Sequence, residues 1–173
     1  MKFLAGILTG LLVLVLGAAA FVLSGSFDTA ATVHPGKLEQ KVADVALDRS
    51  LARRAPKTSN PVAPSPEVLR SGLAHYGEMC VTCHGAPGVD ASEIGIGLNP
   101  PAPDLTKADV QARTDGELFW LVSHGIRMTG MPAFGPTHED KEIWKIVAFL
   151  RHLPALTAEE EKQLQAAGEE HAH

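Results

Sequence analysis

Five consecutive residues carry the most specific chemistry in this 173-residue chain: Cys80, Val81, Thr82, Cys83 and His84. Cys-x-x-Cys-His is the spacing of a c-type haem attachment site. The reason is geometric, because positions i, i+3 and i+4 of a helical turn share one face. Two thiols placed that way can add to the two vinyl groups of one porphyrin while the imidazole reaches the iron. Cys80 and Cys83 become the covalent anchors and His84 the proximal ligand. Other uses of a cysteine pair need partners the sequence lacks. A structural zinc site wants four ligands, and the chain has two cysteines and no two histidines at the H-x3–5-H spacing. A thioredoxin-like dithiol would sit beside a βαβ pattern, and no β-branched strand run lies near the motif. A redox dithiol or a structural disulfide stays as the competing use of the pair.

What a haem iron does depends on its sixth position. Of the four methionines, Met1 belongs to the N-terminal segment and Met79, next to Cys80, cannot reach the opposite haem face. Met128 and Met131 lie in Gly-Ile-Arg-Met-Thr-Gly-Met-Pro-Ala-Phe-Gly, residues 125–135, whose glycines and proline make it a loop. Pro132 biases Met131 towards an extended backbone that lets the thioether project. Met131 is therefore the expected distal ligand, with Met128, His124, His138 or an open site as alternatives. His84 and Met131 together would fill both axial positions, leave no place for substrate and favour outer-sphere electron transfer. Thioether ligation also raises the potential relative to two histidines.

These side chains need helices to hold them. Val68, Gly72, His75, Tyr76 and Met79 form one stripe over residues 67–80, and Ile143, Trp144, Ile146, Val147 and Leu150 form a second. A glycine on the first stripe would let the two helices approach closely. Asp-Gly-Glu-Leu-Phe-Trp-Leu-Val-Ser-His-Gly, from Asp115, reads as a third helix. The fold class is all-α, a small helical domain around a covalent haem. Trp120 and Arg127 are candidate contacts to the haem propionates, with core packing as the competing role for Trp120. His75 and His152 read as helix-surface or packing residues.

The stretch from Ser65 to Pro154 resembles a class I monohaem cytochrome c domain of the bacterial, membrane-anchored type associated with oxidases and dehydrogenases. In that family a first helix leads into Cys-x-x-Cys-His, the distal methionine sits in a Thr-Gly-Met-Pro-Ala-Phe loop, and a final helix crosses the first. Thr129 to Phe134 is that loop here, which strengthens Met131 over Met128; Gly72, Tyr76 and Phe149 match the family's glycine and aromatics. The resemblance implies one covalent haem c, its iron held by His84 and Met131. It implies an electron carrier rather than an enzyme, with a membrane redox complex or other electron-transfer proteins as donor and acceptor. It also makes the carbonyl near Pro100 or Pro101 the expected partner of the His84 ring. A reading from another class is a haem-based ligand sensor or peroxidase-like enzyme with a labile sixth ligand; a third makes residues 24–64 a protein-interaction module with the haem domain ancillary to it.

Outside that stretch, Phe3–Leu23 is an uncharged run of twenty-one residues whose only polar side chain is Thr9. As a helix it would span about 31 Å, the thickness of a bilayer's hydrocarbon core. An uncleaved anchor is the reading, because the run exceeds a signal peptide's apolar core; cleavage near Ala18–Ala20 is the alternative. Lys2 favours a cytoplasmic start, which places the protein as a single-pass span in a bacterial inner membrane with the haem domain in the periplasm. The domain expectation is then an anchor (1–23), a linker (24–64), the cytochrome c domain (65–156) and an acidic tail (157–173). In the linker, Leu38, Val42 and Val45 fall at helical spacing, so a short helix over about 37–53 competes with a solvated spacer. Pro56, Pro61, Pro64 and Pro66 force an extended stretch after it. In the tail, His171 and His173 could touch a metal, with a frayed terminus as the simpler reading. Acidic residues outnumber basic ones overall, giving a net charge of −5 and no surplus to neutralise a phosphate backbone, so nucleic acid is excluded as a partner.

Overall fold

The computed structural model describes residues 2–170, so Met1, His171 and His173 lie outside the described residues. The N-terminal run forms one helix, α1 (Lys2–Leu23), none of whose side chains is buried. It is long and apolar enough to cross a membrane. The Thr9 hydroxyl donates to the Ala5 carbonyl (2.9 Å), so the one polar side chain in the run is satisfied within the helix. Contacts divide the chain after Val33 into two units.

The second unit is helical throughout, and no strand occurs among the described residues. Its elements are α2 (Lys37–Arg54), α3 (Pro66–Met79), α4 (Val81–His84), α5 (Glu93–Ile96), α6 (Ala108–Gln111), α7 (Asp115–His124), α8 (Asp140–His152), a 3-10 turn (Leu153–Ala155) and α9 (Ala158–Glu170). Local signals explain the boundaries. Ser65 caps α3 by accepting from the Val68 N–H, with Pro66 in the first helical position. Thr114 and Glu117 close a capping box on α7, and Glu139 with Glu142 does the same on α8.

Helices α3 and α8 cross at the centre of the fold, at Gly72. A Cβ there would stand 2.5 Å from Phe149 Cβ and 2.6 Å from the Lys145 carbonyl oxygen, so only glycine permits this approach. Tyr76, Ile143, Val147 and Phe149 around the crossing are fully buried, and the Tyr76 and Phe149 rings lie 5.5 Å apart. Phe119 of α7 stacks on Trp144 of α8 at 4.2 Å. Each such side chain contributes roughly 1.5–3 kcal/mol relative to exposure. The stripe expected on residues 67–80 supplies Gly72 and Tyr76 to the crossing, whereas on α8 the residues against Gly72 are Lys145 and Phe149, outside the expected stripe, whose Trp144 turns to α7 instead.

Both flanks do more than their composition suggests. A helix does form over the first part of the segment read as a linker, but its contact face differs from the expected one. Leu38, Val42 and Val45 stay more than half exposed, whereas Leu51 is fully buried and Ala55 nearly so. After it, Asn60 Nδ2 donates to the Trp144 carbonyl (2.8 Å) and the Asn60 N–H to Asp115 Oδ2 (3.0 Å). The proline stretch is thus stitched to α7 and α8. At the other end the acidic stretch is a helix, α9, whose Leu164 is fully buried. His152 Nε2 and Glu160 Oε2, 3.0 Å apart, link it to α8.

Candidate functional site

The α3–α4 junction presents the cysteine motif. Cys80 ends α3, and the single turn of α4 carries Cys83 and His84. The Tyr76 hydroxyl donates to the Gly85 carbonyl at 2.6 Å and ties this turn back to α3. Burial, with a smaller contribution from Cys80, pushes the Tyr76 hydroxyl far above its ordinary pKa, so it stays a donor. From the other side the chain folds back on the turn, with the Ser92 N–H donating to the Thr82 carbonyl (2.9 Å).

Facing this turn is the loop that follows α7. Gly125 ends α7 at φ +63°, and a Cβ there would stand 2.6 Å from the Met131 carbonyl oxygen. The loop closes on itself by Ile126 N–H to the Met131 carbonyl (3.2 Å), Thr129 Oγ1 to the Ile126 carbonyl (2.8 Å) and Met131 N–H to Thr129 Oγ1 (3.1 Å). Met128 occupies the outside of this turn at φ +62° and is 91% exposed. Met131 is half-buried and faces inward.

Between turn and loop lies a cavity of about 320 Å³, lined by Cys80, Cys83, His84 and Met131 and otherwise mostly by apolar side chains and prolines. The four expected site residues therefore converge on one space. His124, His138, Trp120 and Arg127 are not in its wall. The His124 ring stacks on Trp120 (4.7 Å), and His138 packs against His75 and Phe134. The propionate contacts expected of Trp120 and Arg127 find no support, because the one guanidinium in the wall is that of Arg113.

The protonation of these groups suits a metal-binding haem site. Burial pulls the His84 ring below the usual imidazole value, against an opposing pull from its hydrogen bond to the Pro103 carbonyl (2.8 Å). A carbonyl only accepts, so Nδ1 carries the proton and the Nε2 lone pair is free for a metal. The partner is Pro103, a correction to the expectation of Pro100 or Pro101. The rings of Pro100 and Pro101 line the cavity, and the carbonyl that reaches His84 comes just before Asp104, where a turn closed by Thr106 onto Asp104 Oδ1 (2.8 Å) holds the backbone. Burial, followed by Cys83, pushes the Cys80 thiol up to about 12. Reactive dithiols have lowered values, so this argues against a redox pair.

Residues 67–150 match the family model described as cytochrome c oxidase, cbb3-type, subunit III. They form a c-type cytochrome domain. No curated protein matches the chain. The cytochrome domain carries haem c, covalently attached, with its iron, and its work is haem-based electron transfer. The donor set fits that group: two thiols and an imidazole from one turn, a thioether from the loop opposite and apolar walls between. The matched residues include the haem motif, the α3–α8 crossing and the methionine loop, and leave out α2 and α9.

Sequence reasoning missed two parts of the cytochrome's site. One is the Tyr76–Gly85 hydrogen bond, since a hydroxyl partner nine residues away leaves no pattern. The other is the contribution of α2, whose Leu47 lines the cavity and whose Asp48 pairs with Arg113. The i, i+4 pair Leu47 and Leu51 is a readable signal that the stripe Leu38, Val42 and Val45 does not include.

Proposed function

We propose that the protein is a membrane-tethered, single-electron carrier whose haem iron is held by His84 and Met131. It acts as a carrier or subunit of a respiratory redox complex and not as an enzyme in its own right. The observation that supports this most is the pairing across one cavity of a neutral His84 with Met131, while Met128 points to solvent. Haem held there supplies one-electron exchange between ferric and ferrous iron. The chain's part is to supply the two axial ligands, fix the His84 tautomer through Pro103 and keep the surroundings apolar. Those surroundings raise the potential and limit reorganisation.

The apolar α1 supports an anchor with the haem domain outside the inner membrane, in the periplasm. Tethering raises the effective concentration of the cytochrome near membrane partners. The covalent connection is residues 24–36, since α2 packs on the body. Thirteen residues reach at most roughly 45 Å when fully extended. The name of the matched family, an oxidase subunit, supports a respiratory complex as partner.

The test is spectroscopic. Met131→Ala abolishes the methionine-to-iron charge-transfer band at the red edge of the ferric spectrum and lowers the potential, while Met128→Ala leaves both unchanged. The reverse pattern overturns the ligand assignment.

A further inference from the structure

Helix α2 lies outside the residues that match the cytochrome family, yet it reaches the cavity. Leu47 is part of the wall, Asp48 follows it, and Leu51 one turn later is fully buried. Across from Asp48 is Arg113, whose two terminal nitrogens lie 3.2 Å from Asp48 Oδ1. Arg113 is itself in the cavity wall, its side chain 29% exposed. Its backbone is fixed independently, since its carbonyl accepts from Arg151 Nη2 and Arg151 Nη1 donates to the Gln111 carbonyl at 2.6 Å. Among the described residues, Asp109 is the other charged side chain in the wall.

We infer that Asp48 and Arg113 form a pair that sets the potential of the haem, with α2 carrying the counter-charge. The inference rests on the reading that the cavity holds the iron between His84 and Met131. A fixed cation in the wall favours the ferrous state, which carries one positive charge fewer, and so raises the potential. The Asp48 carboxylate offsets that cation. Because Asp48 is 64% exposed, its share is screened by salt. Leu47 beside it keeps water from that part of the wall, so the segment between span and cytochrome domain tunes the cofactor through both charge and cover.

The two charges predict shifts of opposite sign. In the full-length, haem-loaded protein at low salt, Asp48→Asn exposes the Arg113 charge and moves the potential up. Arg113→Gln leaves Asp48 and moves it down. The double variant falls between the two, and both single shifts shrink as salt is added. Asp48→Glu restores the wild-type value, and Arg113→Lys, which keeps the charge and loses the fork, stays above Arg113→Gln. If the pair were only a brace for α2, either single substitution would loosen the helix, admit water and lower the potential. Two shifts downward, or none at low salt, overturn the inference. The red-edge ferric band of the same samples reads the axial ligands separately. Its absence with the potentials still moving apart would count against Met131 and not against the pair.

Discussion

Helices α3 and α8 meet with no side chain between their backbones at Gly72, whereas α2 and the prolines after it are held to the same body by Leu51, Ala55, one ion pair and the hydrogen bonds of Asn60. The first contact is made by shape and is intolerant, since every atom added must displace backbone. The second is made mostly by side chains, each replaceable at a bounded cost, and only at Gly116 of α7, where a Cβ would fall on the Pro56 carbonyl oxygen, does it share the intolerance of the first. One region secures the haem-bearing turn; the other covers it and can be altered without dismantling it.

The contrast is sharpest under Gly72→Ala. The new methyl would stand 2.6 Å from the Lys145 carbonyl oxygen, which belongs to helix backbone and cannot swing aside. Overpacking costs about 1–3 kcal/mol where side chains can adjust, and this site lies at the top of that range, about 3 kcal/mol. Thermal unfolding followed at the haem band should show a drop in Tm of many degrees. A Tm near wild type would mean that the crossing has slack and that the two regions differ less than their contacts suggest.

Leu51→Ala is the matching cut in α2. Removing a fully buried leucine costs about 2–5 kcal/mol in a closed core. Here the loss cannot exceed what docking of α2 is worth, so about 2 kcal/mol is expected, and it should appear as local opening. Amide exchange across residues 47–55 speeds up while that of α3 and α8 does not. Equal acceleration in all three would erase the distinction, because α2 would then unfold only together with the core.

The same contrast explains which parts of the molecule were legible in the sequence. Cys80, Cys83, His84 and Met131 stood out in the sequence because a shared haem would restrict both residue type and spacing, and Gly72 because a close crossing restricts size, whereas Phe149 was matched only through the family resemblance. The carbonyl on His84 was misassigned by two or three residues, since every residue has a carbonyl and only the path of the backbone decides which one arrives. The α2 segment resisted for a different reason. Its apolar residues fall on two faces, Leu38, Val42 and Val45 on one and Leu47 and Leu51 on the other, and helical spacing cannot say which face meets a partner. Nothing about a lone Asn60 among prolines announces that it bonds to Trp144 and Asp115.

The smallest expected effect is at Asp115, where the two regions join. Its Oδ2 accepts the Asn60 N–H, and its Oδ1 accepts Arg151 Nε at 2.8 Å. Burial alone would raise its carboxyl, but the Asn60 N–H and the Arg151 guanidinium outweigh burial and hold it below the usual carboxylate range. Because the folded value is depressed, the stabilisation is full above the unfolded value of about 3.9 and is lost as pH falls through the folded one. Glu160 follows the same sign, with burial opposed by Thr157 and His152 and the net value lowered. The Asn60 amide, corrected for its intrinsic rate, should therefore keep its protection from neutral pH down to about 4 and lose it below. In Asp115→Asn the protection is already weaker at neutral pH and the acid step disappears. A step of wild-type size in that variant would assign the acid sensitivity to another carboxylate, and the join between α2's segment and the core would then rest on its other contacts, Leu51, Ala55, the Asp48–Arg113 pair, the Asn60–Trp144 bond and the packing of Pro56 on Gly116.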